Sequence, residues 1–137
     1  MGKRLRANKR WHLWREHGQA LAEFAFAMPI LWLIILAIVQ FAGVYNHYVS
    51  LTDATRAGAR KAVVSRSASD PIALAKQAVC DSAPSLTCSS INVTVTPTPW
   101  SPGQEITVTA SYPYDIDLMG VVVKSGDLTS STKERVE

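Results

Sequence analysis

Three histidines, two cysteines and a scatter of carboxylates are the groups in this chain best suited to acid–base, nucleophilic or metal chemistry. His12 and His17 precede a long apolar run and His47 follows it. None is spaced with a serine or cysteine and a third orienting partner, as a nucleophilic triad requires. Asp115, Asp117 and Asp127 offer oxygen ligands, but their spacing lacks the glycine and the closing glutamate of a calcium loop. They read as solvated loop carboxylates. Asn92-Val93-Thr94 fits a glycosylation sequon, yet it falls in the middle of an expected strand and reads as incidental. The chain is therefore read as a non-enzyme, with no metal and no cofactor expected. The carboxylate that stands out is Glu23, placed five residues after Gly18 at the mouth of a segment that is otherwise apolar. Its chemistry would be charge pairing.

The surroundings of Glu23 set the terms. Residues 24–44 carry no charge, and Gln40 is their one strongly polar side chain. Twenty-one residues at about 1.5 Å each span roughly 31 Å, against a hydrocarbon thickness of about 30 Å. In a chain of 137 residues too little remains to surround so long an apolar helix, so it reads as a membrane span. Glu23 lies about 16 Å from the centre of the run, at the edge of the hydrocarbon. A charge there costs much less than the roughly 2.5–3.5 kcal/mol of mid-membrane insertion scales, and a helix N-terminus favours a carboxylate.

Charge orients the span. Lys3, Arg4, Arg6, Lys9, Arg10 and Arg15 stand against Glu16 alone in residues 1–17, a net +5. The residues from Gln19 onward carry eight basic and ten acidic side chains, a net −2. The positive flank places the N-terminus in the cytoplasm and the C-terminus outside. The basic leader with Trp11 and Trp14 has the residue types to touch phosphates and bases. The same residues also make a membrane anchor, and with no basic patch in the body no nucleic-acid partner is expected. The apolar run exceeds the 7–15 residues of a typical signal-peptide h-region, and no small-x-small site follows it, so a retained helix is favoured. Cys80 and Cys88, with seven residues between them on the outer side, read as a disulfide. In the chain-entropy model, closing that loop contributes roughly 2–3 kcal/mol.

The elements follow from periodicity. No proline interrupts the sequence from Val44 to Arg66, and Tyr48, Leu51, Thr55, Gly58 and Ala62 form a stripe at three- and four-residue spacing. Asp53 and Arg56 stand three apart, while Arg56, Arg60 and Lys61 mark the other face. One helix is expected from about 19 to 65, roughly 70 Å long, with Pro29 as a kink. Asp70-Pro71 is a helix start, with Asp as N-cap and Pro in the first turn. The helix it opens carries Ile72, Ala75 and Val79 and ends near Cys80. Period-two alternation gives strands over Ile91, Val93 and Val95 and over Ile106, Val108, Ala110 and Tyr112, with PTPWSPGQ as the turn. Residues 115–127 read as a loop with a short apolar piece, Val121-Val122-Val123, and 128–136 as a third strand of poor alternation. The fold class is α+β: a long N-terminal transmembrane and stalk helix, a short second helix and a small antiparallel sheet of two to three strands. The expected organisation is a basic cytoplasmic leader over 1–18, a long helix over 19–66 spanning the membrane at 24–44, and an exocytoplasmic α+β domain over 67–137.

Gly18-Gln-Ala-Leu-Ala-Glu23-Phe24 resembles the type IV prepilin processing motif, Gly-x4-Glu followed by an aromatic residue. The apolar run with Pro29, then Tyr45-Asn46, then Leu51-Thr52-Asp53-Ala54-Thr55-Arg56-Ala57-Gly58-Ala59-Arg60, resembles TadE-like proteins of the tight-adherence (Flp) pilus system. Thr107-Val108-Thr109-Ala110-Ser111-Tyr112-Pro113-Tyr114 and Arg135-Val136-Glu137 are also similar to that family. Phe24 departs from the tyrosine often found after the glutamate in major Flp pilins. The resemblance implies a minor pilin or pseudopilin cut between Gly18 and Gln19 by a membrane prepilin peptidase. Glu23 would then be an assembly determinant, meeting the freed amine of Gln19 in its own chain or a neighbour's. Implied partners are the membrane, the peptidase, other pilin and minor pilin subunits and the assembly platform. An uncleaved single-pass anchor displaying a small binding or accessory domain is the alternative.

Overall fold

The computed structural model describes residues 9–98 and 101–137, and the side chains of residues 18–98 and 101–137. Residues 1–8 of the basic leader, the side chains of Trp11, Trp14 and Arg15, and Pro99-Trp100 of the expected turn lie outside the described residues. The elements are α1 (Lys9–Val64), α2 (Pro71–Asp81), a short 3-10 turn at Cys88–Ser90, and strands β1 (Asn92–Thr96), β2 (Glu105–Leu118) and β3 (Val121–Arg135). This is the expected α+β arrangement of a long apolar helix, a short helix and an antiparallel sheet, here with three strands in the order β1-β2-β3.

α1 starts ten residues earlier than expected and runs 56 residues with Pro29 inside it. Lys, Arg, Trp, His, Leu and Glu fill the added turns with Gly18 at their end, and no proline interrupts them. The chain divides into two compact units, Met1–Val39 and Gln40–Glu137, so the C-terminal part of α1 belongs to the same unit as the sheet. Burial along α1 explains the division. Residues 18–35 are exposed on every face, whereas Leu51, Ala54, Thr55, Gly58, Ala59 and Ala62 are buried on one. A helix that is apolar all round lacks a side that water would select. The one-sided stripe beyond it is made of small residues, which let other backbone come close.

That closeness is measurable at Gly58. A Cβ there would collide with Cγ2 of Val79 and lie 3.2 Å from the Ala75 carbonyl oxygen, so α2 rests directly on the α1 backbone. Ala75 and Val79 are the two buried residues of α2, and Ile72 is exposed. Asp70 caps this helix by accepting from the Ala73 N–H at 2.9 Å, ahead of Pro71, so an orphan amide of the first turn is satisfied. Thr55, wholly buried, donates its hydroxyl to the Leu51 carbonyl at 2.6 Å. The stripe therefore carries no unsatisfied hydroxyl there.

Over these helices lies one face of the sheet. Ile106, Val108 and Ala110 are buried, and Val93 and Val95 pair with Ala110 and Val108 on β1. On β3 the residues opposite Val108 and Ala110 are Thr132 and Ser130. The inward positions of this edge strand are thus partly polar, which is why its alternation is poor. Two clusters form the core. One joins Leu51, Ala54, Val79 and Ala83 to Leu86, Ile91 and Ala110; the other joins Ala59, Ala62 and Ala75 to Val95, Ile106, Val108 and Val136.

The segment 115–127 is a correction to the sequence reading. It is a two-stranded ribbon, with β2 and β3 paired from Glu105↔Arg135 to Leu118↔Val121 and one register shift between Ile116 and Asp117. Met119 and Gly120 make the connection with φ of 57° and 85°, the left-handed pair that a tight hairpin turn requires. The Asp117 carboxylate accepts the Gly120 N–H at 2.7 Å and fixes the turn. Alternation of Asp115-Ile116-Asp117-Leu118 and the β-branched run 121–123 were the available signals; the aspartates masked them.

Gly58→Ala adds a methyl where Val79 leaves no space, and a β-branched neighbour yields poorly. The overpacking cost of about 1–3 kcal/mol exceeds the helix-propensity gain of roughly 1 kcal/mol over most of its range. Thermal unfolding of the full chain in detergent is expected to show a Tm lowered by several degrees. Gly43→Ala, where nothing lies within 4 Å, leaves Tm unchanged or raises it. A Gly58→Ala protein as stable as wild type would contradict the close packing.

Candidate processing and assembly site

Gly18, Gln19 and Glu23 all stand on α1 in the Met1–Val39 unit, and all three side-chain positions are exposed. The Gly18–Gln19 peptide is helical, and a Cβ built at Gly18 would meet nothing within 4 Å. A reagent or enzyme approaching the Gly18 carbonyl carbon therefore meets no side chain on that residue. The Gln19 side-chain amide donates to Glu23 Oε1 at 3.0 Å, four residues on. This is the helix-surface pairing that i, i+4 spacing allows. It brings residue 19 and Glu23 together through an amide, with the backbone nitrogen of Gln19 still part of a peptide bond. Phe24 and the following apolar residues are exposed as well, so the site is built on a single helix.

Pro29 lies six residues beyond Glu23 within the same uninterrupted helix. Cys80 and Cys88 lie in the other unit, bonded to each other with Cα atoms 5.2 Å apart. Their bridge ties the end of α2 to the 3-10 turn that leads into β1. Asp53 and Arg56 form an exposed ion pair at 3.3 Å one turn apart, a pair of small worth at such exposure. Among the described residues no group of three or more His, Cys, Asp or Glu is placed to hold a metal ion.

One feature near the apolar segment went unread in the sequence. Gln40, its polar residue, donates its side-chain amide to the backbone carbonyl of Asp117. Beside it, Gly43, Val44 and His47 face Tyr112, Pro113, Tyr114 and Asp115 across a groove of about 250 Å³. The His47 and Tyr112 rings meet edge to face with centroids 5.8 Å apart at 76°. A glutamine alone within an apolar run was the available signal, but sequence spacing could not name a partner 77 residues away.

The match to known families begins at this site. Residues 18–60 match the TadE-like protein family. No curated protein and no solved structure matches the chain. The TadE-like segment covers just under a third of the sequence, from the glycine before Glu23 to Arg60 on the buried-stripe half of α1. It thus contains the candidate site, the exposed apolar segment and, in Ala54, Gly58 and Ala59, most of the small residues that receive α2. The ribbon, the sheet and the disulfide lie beyond it. The TadE-like segment and the long apolar helix together fit a pilus-associated membrane protein.

Because Glu23 takes its hydrogen bond from Gln19 on the same exposed surface, its removal leaves the folded unit untouched. Glu23→Gln is expected to keep the wild-type Tm of the full chain in detergent and the wild-type resistance of residues 40–137 to limited proteolysis. A clear drop in either would give Glu23 a structural role in this chain's own fold.

Proposed function

We propose that the chain is a minor pilin or pseudopilin that contributes to assembly or initiation of a tight-adherence type IV pilus. In this reading a prepilin peptidase cleaves between Gly18 and Gln19 on the cytoplasmic face. The observation that carries it is the TadE-like match over residues 18–60, which starts at the glycine of the Gly-x4-Glu pair and runs through the apolar helix. Full exposure of the apolar window on α1 supports a membrane span. The +5 leader supports an inside N-terminus and an outside C-terminal domain.

The chemistry at the site fits this role. Gly18 offers an uncrowded carbonyl, and glycine within a helix costs about 1 kcal/mol relative to alanine, so the turn a peptidase must open is already weakened. Cleavage removes the basic leader and turns the Gln19 nitrogen into an ammonium. That charge arises one helical turn from Glu23, where the Gln19 amide already reaches the carboxylate. In the membrane the ammonium is paired within its own chain. In an assembly the Glu23 of one subunit meets the Gln19 amine of the next, which fixes register between otherwise featureless apolar helices. Losing one partner of such a shielded pair costs more than the pair itself is worth. The partners are the membrane, the prepilin peptidase, other pilin and minor pilin subunits and the assembly platform. No catalytic residue and no cofactor belongs to this reading. The second reading, an uncleaved anchor displaying an accessory domain, is favoured by the continuity of α1 from Lys9 through the Gly18–Gln19 bond.

Intact mass of the membrane-extracted protein separates the two. Co-expression with an active prepilin peptidase is expected to remove residues 1–18 from wild type and from Glu23→Gln, and to leave Gly18→Leu at full length. Glu23→Gln, though cleaved, is expected to be lost from sheared pilus fractions or to reduce piliation. A full-length mass in every sample, with the peptidase shown active on another prepilin, would leave the permanent anchor.

A further inference from the structure

The β2–β3 turn carries an apolar patch that the core does not use. Met119, Val121, Val122 and Val123 are 79%, 65%, 57% and 61% exposed, and residues 118–123 contain no charge. Two valines alternating across a ribbon would show one face each. Here the register shifts between Ile116↔Lys124 and Asp117↔Val122, which leaves Val123 without a β2 counterpart and all three valines exposed in a row.

The position of this turn identifies its partner. Beyond β1, whose last pair toward the turn is Asn92↔Ser111, the ribbon continues alone alongside α1. Tyr112 meets His47, and five residues nearer the turn Asp117 meets Gln40. As β2 advances toward its turn it therefore passes α1 residues of falling number, back along the helix into the apolar run 24–44. Gln40 lies four residues, about 6 Å, inside the outer end of that run. The turn begins two residues past Asp117, the residue that Gln40 holds. An apolar element lying in the lipid–water boundary sits at a depth of about 5–10 Å.

The polar groups of the turn are prepared for such a medium. The Gly120 N–H is taken by the Asp117 carboxylate and the Asp117 carbonyl by Gln40, which removes two backbone groups that hydrocarbon would leave unsatisfied. Lys124, exposed at the rim of the patch, has the long stem that carries an ammonium to a headgroup phosphate. Asp115 and Asp127 stand farther from the turn on the ribbon, on the water side of that rim.

We propose that residues 118–123 form a second membrane contact: the apolar turn inserts into the lipid headgroup–acyl boundary of the leaflet that faces the C-terminal unit. Gln40 pins it at that depth. The contact fixes the rotation of the C-terminal unit about α1 at the bilayer surface, so each subunit presents the same face to a neighbour. The inference rests on the reading of residues 24–44 as a membrane span.

A photoreactive diazirine amino acid placed singly at Val122, Ile34 or Ser131 of the full chain tests it. The probe is vesicles of phosphatidylcholine and phosphatidylglycerol, and the readout is lipid adducts by mass spectrometry. Adducts at Val122 approaching the Ile34 yield, and several-fold above exposed Ser131, are the expected result. Adducts at Ile34 with only water products at Val122 overturn the inserted turn and leave the span intact. Absence of lipid adducts at Ile34 fails the span itself and this proposal with it. A Val122 adduct to a second copy of the chain in place of lipid also overturns it, and makes the patch a subunit contact.

Discussion

The unit Gln40–Glu137 depends on how closely α2 can approach α1. Gly58 leaves no side chain between the two helices, and Val79 fills the place its Cβ would take. Ala54, Ala59 and Ala62 extend that low surface along the buried stripe. Because α2 sits so close, both helices present a common floor to Ile106, Val108 and Ala110, and a sheet of only three strands finds enough apolar surface to rest on. The disulfide then ties the end of α2 to the turn that starts β1. Sheet, bridge and helix pair are consequences of one stripe of small residues.

The same helix carries two kinds of surface. From Phe24 to Ile35 its surface is apolar on every side and exposed. From Leu51 on, charged residues such as Arg56, Arg60 and Lys61 face water while the small residues face the core. No break in the backbone marks the change. What changes is the angular distribution of side chains, from uniform to one-sided.

Much of this was legible in the sequence because each signal was local. Asp70-Pro71 specifies a helix start through groups three residues apart, and the cap forms as written. The stripe through Leu51, Thr55, Gly58 and Ala62 is a spacing on one helix, and each of these is buried. Tyr48, at the head of the same stripe, is 43% exposed, since the core begins one turn later. Signals that depend on a partner were weaker. β3 turns Thr132 and Ser130 inward, so its pattern showed only once its neighbour was known. The ribbon was hidden by aspartates whose role, for Asp117, is to hold the turn. At the candidate site, the residue types and the i, i+4 geometry are readable from spacing, while Gln40 shows in the sequence only as a polar residue in an apolar run.

Glu23 stands just before the apolar run and Gln40 lies within its far end, and their difference is instructive. A polar group in or beside hydrocarbon must find partners. Gln40 finds one within its own unit, on the ribbon, and so acts on the shape of this chain alone. Among the described residues Glu23 accepts one hydrogen bond, from a neighbour on the same helix, although an ionised carboxylate has about four acceptor positions. A carboxylate kept at the edge of an apolar segment, with most of its acceptor capacity open, is suited to a donor that arrives later. Cleavage after Gly18 would create one such donor in the chain itself, and assembly would bring an identical one from a second copy. In the proposed pilin reading both donors would bind the same carboxylate, so pairing within a chain and pairing between chains would compete. Apolar packing between helices would then separate stored from assembled subunit, with Glu23 selecting the register in which that packing occurs.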